Sequence, residues 1–515
     1  MKNYYITTTL PYVNSEPHIG FASEIVRADV MARFHKEVLG EEVFFNTGTD
    51  EHGQKIYDQA KEKGISTQEF CDLQAENFKK LREDLNLSFN NFVRTTDEDH
   101  IKAAQEFWKI CYANGDIYKA RYKVKYCVGC ELEKTDSELN EEGRCPLHPN
   151  KDLQESEEEN YFFKFSNYQD KLLELYKNNP SFVEPEKRLK EIKSFVEQGV
   201  KDFSISRLQK KMPWGIPVPG DNEHVMYVWF DALVNYVSVL GWPCHCERVN
   251  KIGVAEEPEL CLCKEDKCNY KNFWPGVQLA GKDNLRQQSA MWQAMLMSAG
   301  LPSSKKIYIN GFIISDGQKM SKSLGNVISP AEMVGRFGID ATRYLLMASS
   351  IFGEDVDLTW ERMTEKYNSD LANGIGNLFS RVNKLVFRIR FEKASNNFEG
   401  HTLIAKDRSS EISEYICKES KVDLKKYSKY FEQGRVEKLL QDVQKKVAEV
   451  DKEIEKLRPW EISESDPELF EKEMLDFSVK LFEIKEMIKI FMPETAQKME
   501  KILNKGEEKL LFPRL

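Results

Sequence analysis

The 515-residue sequence lacks the two features that would direct a protein into or across a membrane. No apolar run reaches the roughly 18 residues that a membrane-spanning helix needs. The N-terminal segment Met1–Thr7 is not a basic stretch followed by a long apolar core, so we do not interpret it as a signal peptide. We therefore place no membrane span in the chain and expect it to be cytoplasmic.

An excess of positive charge is also missing, since 74 Lys and Arg residues stand against 84 Asp and Glu residues and the net charge is -10. Any contact with nucleic acid must therefore come from local patches of positive charge.

The 11 cysteines are odd in number and clustered. In a long chain without an export signal, they favour metal sites and free thiols over disulfides. The length predicts about three to four domains.

The interpretation depends most on a Gly- and Ser-rich loop, Asp316–Asn326, which follows a strand-like run at Lys306–Ile314. Lys319 and Lys322 in this loop can bring two ammonium groups onto a polyphosphate and neutralise the charge that grows on a leaving group. A solvated basic turn is the alternative for a bare pair of lysines. The string Lys-Met-Ser-Lys-Ser resembles the second signature of class I aminoacyl-tRNA synthetases. The resemblance implies that both lysines and Ser321 act on ATP.

The N-terminal segment predicts the start of a nucleotide-binding fold. Tyr4–Leu10 is typical of a strand, a proline-containing turn follows, and apolar periodicity predicts a helix from about Ile19 to a stop at Gly40. This order places His18 and Gly20 at a helix N-terminus, where backbone donors and the helix dipole suit a phosphate. Gly20 lets a nucleotide approach the backbone, and His18 can donate a hydrogen bond to it.

Two segments narrow the resemblance to one family. Thr8–Asn14 with His18–Gly20 resembles the opening of methionyl-tRNA synthetases, and Asn46–Ile56 is similar to the family's next motif. A carboxylate at the carboxyl end of a parallel strand is well placed for an ammonium group, although a helix cap is the alternative role for Asp50. The resemblance implies three amino-acid-binding residues here: Leu10, Tyr12 and Asp50.

One position departs from the family pattern. The first signature of the family usually ends in a second histidine, and this chain has Phe21 there. Phenylalanine cannot hydrogen-bond a phosphate or a ribose oxygen. Three explanations stay open: another group compensates, amino-acid activation is weakened, or the chain is a paralogue.

Clustered cysteines follow a stretch, Leu73–Cys111, that reads as helical. A Cys-x-x-Cys pair and a Cys-x-x-His pair, with a polar loop between them, suit a tetrahedral structural zinc whose four ligands would be Cys127, Cys130, Cys145 and His148. Four protein ligands leave no open position, so we assign the zinc a role in folding. A second group has no single tetrad, and both a second metal site and surface thiols stay open for Cys244, Cys246, Cys261, Cys263 and Cys268.

The segment His224–Tyr236 combines a strand-like run with a helix start. By resemblance, three of its residues pack on the side chain of methionine: Trp229, Ala232 and Tyr236. Aromatic walls suit a polarizable thioether. Ordinary core packing is the alternative role for each of these residues.

A ribose-binding motif is indicated at Leu279–Asp283, where Gly281 permits close approach and Asp283 can accept from the ribose hydroxyls. Beyond it, the family pattern has an aliphatic residue and a pocket histidine, and this chain has Asn284 and Gln288. Each buried polar group without a partner costs about 1–3 kcal/mol. Two options stay open: a methionine pocket with compensating contacts, or a pocket that accepts a more polar amino acid.

From Trp360 onward the chain is charged and predicted to be helical. Apolar residues recur at three-and-four spacing and predict one buried helix face in a bundle: Leu440, Val443, Val447, Val450, Ile454 and Leu457. Tyr367–Arg381 resembles the first helix of the family's anticodon-binding domain. The resemblance implies that Asn377 and Arg381 read a base and that Trp460 stacks on one. Leu511–Leu515 resembles the end of the family's common body, and because no appended module follows we expect a monomer.

The predicted fold class is α/β, with a Rossmann-type parallel-sheet catalytic domain, a zinc-binding insertion and an all-α helix-bundle anticodon-binding domain. The predicted ranges are 1–112 and 223–320 for the two halves of the catalytic fold (with a Cys-rich loop at 244–268), 113–222 for the insertion, 321–360 for the lysine loop and connector, and 361–515 for the helical domain.

The resemblance implies a methionine–tRNA ligase that binds ATP with Mg²⁺, forms methionyl-adenylate and transfers methionine to the 3′ terminal ribose of tRNA(Met). A paralogue that activates another amino acid, or passes it to another acceptor, is one alternative. A tRNA-binding protein without catalysis is the other, and the intact Lys319 and Lys322 count against it.

Overall fold

The computed structural model describes residues 2–129, 132–133, 139–140, 142–243, 269–315, 317–320, 326–390, 408–505 and 510–515. The strands in these ranges, numbered in chain order, are β1 Asn3–Thr7, β2 Glu42–Thr49, β3 Asn91–Arg94, β4 Ile117–Cys127, β5 Leu132–Glu133, β6 Gln154–Phe163, β7 Val183–Glu184, β8 Phe203–Ser204, β9 Ser206–Leu208, β10 Pro217–Val218, β11 Asp221–Met226, β12 Val277–Gly281, β13 Lys306–Asn310, β14 Ile313–Ser315, β15 Gln318–Lys319 and β16 Val356–Asp357.

Helices connect these strands and form most of the C-terminal third. The helices that belong to the N-terminal two thirds are Ile19–Arg33 (continued by a π-helical turn, Phe34–Val38), Gln54–Lys63, Thr67–Asp84, Glu98–Ala113, Gln169–Asn178, Glu186–Glu197, Val228–Leu233, Asn235–Ser238, Asn269–Phe273 and Trp292–Ser298. Those that follow are Pro330–Phe337, Ile339–Ala348, Trp360–Lys366, Asn377–Arg390, Ser409–Glu419, Ser428–Glu432, Glu437–Leu457, Pro459–Ser465, Pro467–Ile488 and Pro493–Lys505. No helix in the described ranges is both long enough and apolar enough to cross a membrane.

The centre of the N-terminal part is a six-stranded sheet with the strand order β3-β2-β1-β12-β13-β7. All of its pairs are parallel, and β1 contacts β12 through Ile6 opposite Val277. The order of the strands reverses between β1 and β12, so a crevice opens at their carboxyl ends, the usual position of a ligand in such a sheet. The predicted Rossmann-type sheet is confirmed.

The sheet is buried on both faces. Tyr4 and Ile6 of β1 pack in one hydrophobic core, while Tyr5 between them packs in the other, as the two-residue period of a strand requires. Leu279 and Ala280 of β12 divide between the same two cores. This double burial explains why the strands read as continuous apolar runs.

The insertion between the two halves of the sheet contains a long antiparallel hairpin. β4 pairs with β6 from Ile117 opposite Phe163 to Tyr126 opposite Gln154, within a four-stranded sheet of order β5-β4-β6-β8. The hairpin ends at Cys127, so it carries the first predicted zinc ligand. β7 lies in the same predicted range of the chain but pairs with β13 at the edge of the central sheet.

A small sheet of order β15-β14-β16 carries the start of the lysine loop. The strand-like run Lys306–Ile314 is divided between β13 and β14, with Gly311 between them. A Cβ atom on Gly311 would stand 1.9 Å from the main-chain oxygen of Glu354. This close approach of two backbones explains the glycine and the break in the run.

The C-terminal helices form a bundle, as predicted. Val443 and Ile454 are fully buried, Leu440, Val447 and Val450 are buried, and Leu457 is partly buried. The predicted apolar face of helix Glu437–Leu457 is therefore confirmed.

Two buried arginines join this bundle to the helix that begins at Ile19. Arg27 contacts Glu437 at 3.0 Å between Nη1 and Oε2. Arg343 donates to Asp29 Oδ2 at 2.6 Å and to the main-chain oxygen of Phe491 at 2.7 Å. Buried guanidinium groups require such partners, so these contacts fix the bundle against the part of the chain that contains the parallel sheet.

Candidate active site

The crevice begins at the start of helix Ile19–Arg33, the first helix after β1. His18 is the residue before the helix, and its Nδ1 accepts a hydrogen bond from the Gly20 N–H at 3.0 Å. A Cβ atom on Gly20 would stand only 2.7 Å from His18 Cε1. The imidazole can therefore lie in this place only because residue 20 is a glycine. Because Nδ1 accepts, the neutral ring carries its proton on Nε2, which can then donate to a phosphate.

The flank of the lysine loop reaches this helix start. The Ile19 N–H donates to the main-chain oxygen of Ile328 at 3.1 Å, although more than three hundred residues separate the two in sequence. Ile328 follows Lys322 by six residues, a distance of at most roughly 20 Å for an extended chain. The predicted ATP-binding residues Ser321 and Lys322 lie outside the described residues, and Lys319 ends β15.

Phe21, at the position of the family's second histidine, is a core residue. It is 9% exposed and packs edge-on against Phe78, with ring centroids 5.8 Å apart. The side chain therefore fills space behind the helix start. This placement gives Phe21 a packing role and no polar contact with a nucleotide.

Asp50 follows the carboxyl end of β2 and is joined to the segment after β1. Its N–H donates to the Pro11 oxygen at 3.0 Å, and its own main-chain oxygen accepts from Val13 at 3.1 Å. Tyr12 lies between these contacts, and its hydroxyl oxygen is 2.4 Å from where a Cβ atom on Gly53 would stand. The structure thus brings Tyr12 and the buried Asp50 together, with the half-buried Leu10 nearby in sequence.

The residue after Asp50 is held by several hydrogen bonds. Glu51 is fully buried and accepts from Arg94 Nε at 2.7 Å and Nη2 at 2.8 Å. Thr49 and Thr96 each donate to the same carboxylate at 2.6 Å. A bidentate guanidinium contact of this kind fixes both distance and orientation, so the backbone that presents Asp50 is held in place.

Tyr236 and Gln288 form a buried polar pair, each 1% exposed. The Gln288 Nε2 donates to the Tyr236 hydroxyl at 2.6 Å, and Gln293 donates to the main-chain oxygen of Gln288 at 2.8 Å. Within the described chain, Gln288 Oε1 is buried and accepts no hydrogen bond. One of the two polar groups of this amide therefore has a compensating contact. Because the Tyr236 oxygen accepts from Gln288, its own proton points elsewhere and can meet a substrate.

Glu24 is a carboxyl group of the crevice that the sequence analysis missed. It is buried and accepts from the Thr9 N–H at 2.8 Å and from the Thr9 hydroxyl at 2.6 Å. Burial raises its pKa to about 8; the hydrogen bonds from Thr9 lower it, and the nearby Asp283 raises it. Burial is likewise the largest cause that raises the pKa of Tyr236, and the charges of Glu24 and Asp50 add to it.

The other predicted pocket residues lie on short helical elements. Helix Val228–Leu233 carries Trp229, which is half-buried, and Ala232, which is 7% exposed. Asn284 is also half-buried and ends the helical turn after β12. The polar residue at that position is thus accessible to solvent in part and does not carry the full cost of burial.

The predicted ribose-binding residues lie side by side at the end of β12. Asp283 Oδ1 is 2.6 Å from where a Cβ atom on Gly281 would stand, so the exposed carboxylate covers the glycine backbone. Lys282 contacts Asp355 at 2.6 Å, and its Nζ lies 4.2 Å from the ring centroid of Phe312. These contacts join the turn that is predicted to bind the ribose to the small sheet that carries the start of the lysine loop.

Three of the four predicted zinc ligands meet at the end of β4. The His148 Nδ1 lies 3.8 Å from Cys127 Sγ and 3.9 Å from Cys145 Sγ, and all three ligand atoms are within 4.8 Å of one another. Zn–S bonds of about 2.3 Å put tetrahedral ligands roughly 3.5–3.8 Å apart, so the arrangement fits zinc. A Cβ atom on Gly129 would stand 2.4 Å from the His148 ring, which explains this glycine in the motif. Cys130 lies outside the described residues.

The second cysteine group, Cys244, Cys246, Cys261, Cys263 and Cys268, also lies outside the described residues.

The predicted anticodon residues lie in the bundle. Asn377 is exposed and stands one turn before Arg381 on the same helix, and Arg381 contacts Asp451 at 2.9 Å. Trp460, on helix Pro459–Ser465, is 50% exposed. An exposed indole of this kind can stack on an unpaired base.

Comparison with known proteins agrees with this geometry. A family model described as tRNA synthetases class I (M) matches residues 4–158 and 141–383. The methionine–tRNA ligase of Thermotoga maritima is 39% identical over 504 residues, which covers 96% of this chain and 74% of that protein. The chain belongs to the methionyl-type class I tRNA synthetases. Another such synthetase, the methionine–tRNA ligase of Rickettsia bellii, is 38% identical over 100% of this chain and 95% of its own length.

A solved member of this synthetase family has the same fold. The methionyl-tRNA synthetase of Mycobacterium tuberculosis in complex with methionyl-adenylate superposes with a TM-score of 0.83 at 31% identity, and the match covers 100% of both chains. The apo form of that enzyme gives a TM-score of 0.76. The architecture of this chain is therefore that of a class I synthetase throughout.

Proposed function

We propose that the chain is a methionine–tRNA ligase, which activates methionine with ATP and transfers it to tRNA(Met). The observation that carries the proposal is the match over the full length to a synthetase solved with methionyl-adenylate. The buried pair of Tyr236 and Gln288 supports the proposal, because the hydrogen bond between them lies against the aromatic ring of Trp292.

The amino acid would bind at the carboxyl ends of β1 and β2. Asp50 receives the α-ammonium group, since its carboxylate lies at the carboxyl end of a parallel strand. The thioether packs among the wall residues, and the Tyr236 hydroxyl donates toward its sulfur because Gln288 occupies the oxygen from the other side. The residues assigned to this pocket are Leu10, Tyr12, Asp50, Trp229, Ala232, Tyr236 and Gln288.

The nucleotide would bind across the crevice from the amino acid. His18 donates from Nε2 to a phosphate, Gly20 permits close approach, and Gly281 and Asp283 hold the ribose. The methionine carboxylate attacks the α-phosphorus, the bond to the bridging oxygen breaks, and pyrophosphate leaves. Lys319, Ser321 and Lys322 neutralise the charge that develops on this leaving group. Positioning and charge neutralisation supply the rate, without a covalent enzyme intermediate.

Zinc is proposed as the structural ion of the insertion, held by Cys127, Cys130, Cys145 and His148. Zinc in a closed tetrahedral site supplies folding free energy and no catalysis. ATP enters as its Mg²⁺ complex, and no residue of the chain is assigned to that ion. Metal analysis of the purified protein tests the zinc site. About one zinc per chain is expected in the wild type, and the Cys145→Ser variant is expected to lose it.

The helical domain is proposed to hold the tRNA anticodon. Asn377 and Arg381 would contact an unstacked base, and Trp460 would stack on another. The adenylate then passes its acyl group to the terminal ribose, and AMP leaves. Action as a monomer in the cytoplasm remains a prediction from the sequence.

Amino-acid-dependent exchange of pyrophosphate into ATP tests the function. Each standard amino acid is supplied separately to the purified chain. Exchange with methionine alone is expected. Exchange with a different amino acid would make the chain a paralogue, and no exchange with any amino acid would make it a tRNA-binding protein without catalysis.

A further inference from the structure

A buried carboxylate with two histidines lies behind the amino-acid pocket. Asp231, on helix Val228–Leu233, is 0% exposed. Its Oδ2 lies 3.0 Å from His52 Nδ1, and its Oδ1 lies 3.5 Å from His100 Nε2. His52 and His100 are 4% and 2% exposed. A charge that is removed from water this completely needs specific polar partners. The two histidines are therefore required to stabilise the buried Asp231.

The charge state of the cluster follows from its surroundings. Burial alone raises the pKa of Asp231, but His52 and His100 together lower it below its ordinary value. Asp231 is therefore a carboxylate at neutral pH. In the parts of the chain that the structure describes, its Oδ2 is hydrogen-bonded to His52 Nδ1, while its Oδ1 lies near His100 Nε2 at 3.5 Å, too far and too poorly aligned for a hydrogen bond.

Each contact of Asp231 reaches a different part of the pocket. His52 stands two residues after Asp50, so the Nδ1 contact ties the ammonium-binding loop to helix Val228–Leu233. On that helix, Asp231 itself stands between Trp229 and Ala232. The side chain of Asp231 thus fixes the separation between the group proposed for the ammonium and the wall proposed for the thioether.

The second histidine extends the arrangement to Tyr236. His100 Nδ1 lies 3.0 Å from the Ser238 hydroxyl, and that hydroxyl lies 3.4 Å from the main-chain oxygen of Asn235. Both residues belong to helix Asn235–Ser238, which carries Tyr236. The cluster of Asp231, His52 and His100 therefore brings together three segments that carry predicted pocket residues.

We propose that Asp231 is a positioning residue for the amino acid, which acts through His52 and His100 to hold Asp50, Trp229 and Tyr236 at the spacing that methionine requires. The proposal rests on the proposed function. It assigns the cluster an effect on amino-acid binding and none on ATP binding, because the polar contacts of the cluster in the described ranges lead to His52, His100 and Ser238, which stand beside predicted amino-acid-binding residues. A purely structural cluster would have no such preference.

The test compares Asp231→Asn, His52→Gln and the double variant in ATP–pyrophosphate exchange. Asp231→Asn is expected to raise KM for methionine about tenfold and His52→Gln about fivefold, while the double variant stays near tenfold because both act through one contact. The KM for ATP is expected to change by less than about twofold.

The matched control is His35→Gln. His35 also contacts a carboxylate, Glu41, at 2.6 Å, but it lies at the amino ends of the strands. This control is expected to leave both KM values unchanged. Thermal unfolding of each variant is measured beside the kinetics, and if Asp231→Asn does not fold, His52→Gln and the conservative His100→Asn carry the same comparison.

Equal rises in both KM values, unchanged KM values, or multiplied effects in the double variant would overturn the positioning role. A wild-type chain that neither exchanges with methionine nor binds it in calorimetry would overturn the proposed function and the positioning role together. If the wild type exchanges with methionine and the variants have the same KM values as the wild type, the positioning role alone is overturned.

Discussion

The two sides of the crevice differ in how completely the protein organises them. On the amino-acid side, Tyr236 and Gln288 are buried and hydrogen-bonded to each other, and Asp50 stands beside the fixed Glu51. On the nucleotide side, His18 and Asp283 are exposed. The difference teaches that the pocket proposed for the amino acid is organised before a substrate arrives, and such a pocket costs little reorganisation on binding. The residues proposed for the nucleotide, in contrast, lie at the exposed rim of the crevice.

The nucleotide side is tested most severely by Lys322→Ala. Removal of one cation from the leaving group is expected to lower kcat for exchange about 100- to 1,000-fold while KM for methionine stays nearly unchanged. Lys305→Ala, which removes an exposed lysine ahead of β13, is the control and should retain activity. A large change in KM for methionine would contradict the proposal that the lysine loop acts on the nucleotide and not on the amino acid.

The amino-acid side is tested by Asp50→Asn. Loss of a buried charge partner of the ammonium group is expected to lower kcat/KM for methionine about 100-fold. Asp58→Asn, an exposed change on the next helix, serves as the control. An unchanged KM for methionine in Asp50→Asn would place the ammonium group elsewhere.

The contact between Tyr236 and Gln288 is tested by two changes at one position. Gln288→Leu removes the N–H donor and leaves the Tyr236 hydroxyl without its partner, so KM for methionine is expected to rise about tenfold. Gln288→His keeps a donor and is expected to stay within about threefold of the wild type. If leucine improves methionine binding, the buried polar pair does not belong to the amino-acid side of the crevice.

The buried Glu24, which is hydrogen-bonded to Thr9, is tested by pH. Its pKa is raised from 4.5 to about 8, so the folded chain binds a proton that the unfolded chain has released in this range. Its contribution therefore lowers stability as pH rises from about 4.5 to about 8, by about 1.4 kcal/mol per pH unit. Glu24→Gln should remove that slope. Unfolding midpoints of both proteins across this pH range check it, and parallel slopes would contradict the assignment.

The smallest effect on activity is expected for Phe21→His. Because Phe21 packs in the core against Phe78, a histidine there brings a polar ring into an apolar contact. The unfolding midpoint should fall, and exchange at a temperature where the variant is folded should change by less than about twofold. A marked rise in exchange would mean that the histidine reaches the nucleotide.

Local sequence patterns predicted the elements whose features are local. The helix after His18 and the buried face of helix Glu437–Leu457 follow from apolar periodicity. The stretch Leu73–Cys111, read as helical throughout, instead contains β3 between two helices. β3 has four residues and is defined by its pairing with β2, and strand formation at a sheet edge depends on such neighbours more than on local composition.

The site shows the same limit. Resemblance indicated Asp50, Tyr236 and Gln288, but not that Gln288 donates to Tyr236, because this contact joins residues 52 positions apart. Glu24 was missed because an acidic residue in an apolar helix face carries no sign of its partner. Thr9, which holds it, is 15 positions away across a turn.

A crystal structure with a nonhydrolysable methionyl-adenylate analogue would test the division of the crevice most directly. The account predicts that the ammonium group lies within hydrogen-bonding distance of Asp50, the thioether against Tyr236, and the ribose hydroxyls on Asp283. An analogue bound with its ribose against Tyr236, or with its ammonium group away from Asp50, would contradict it.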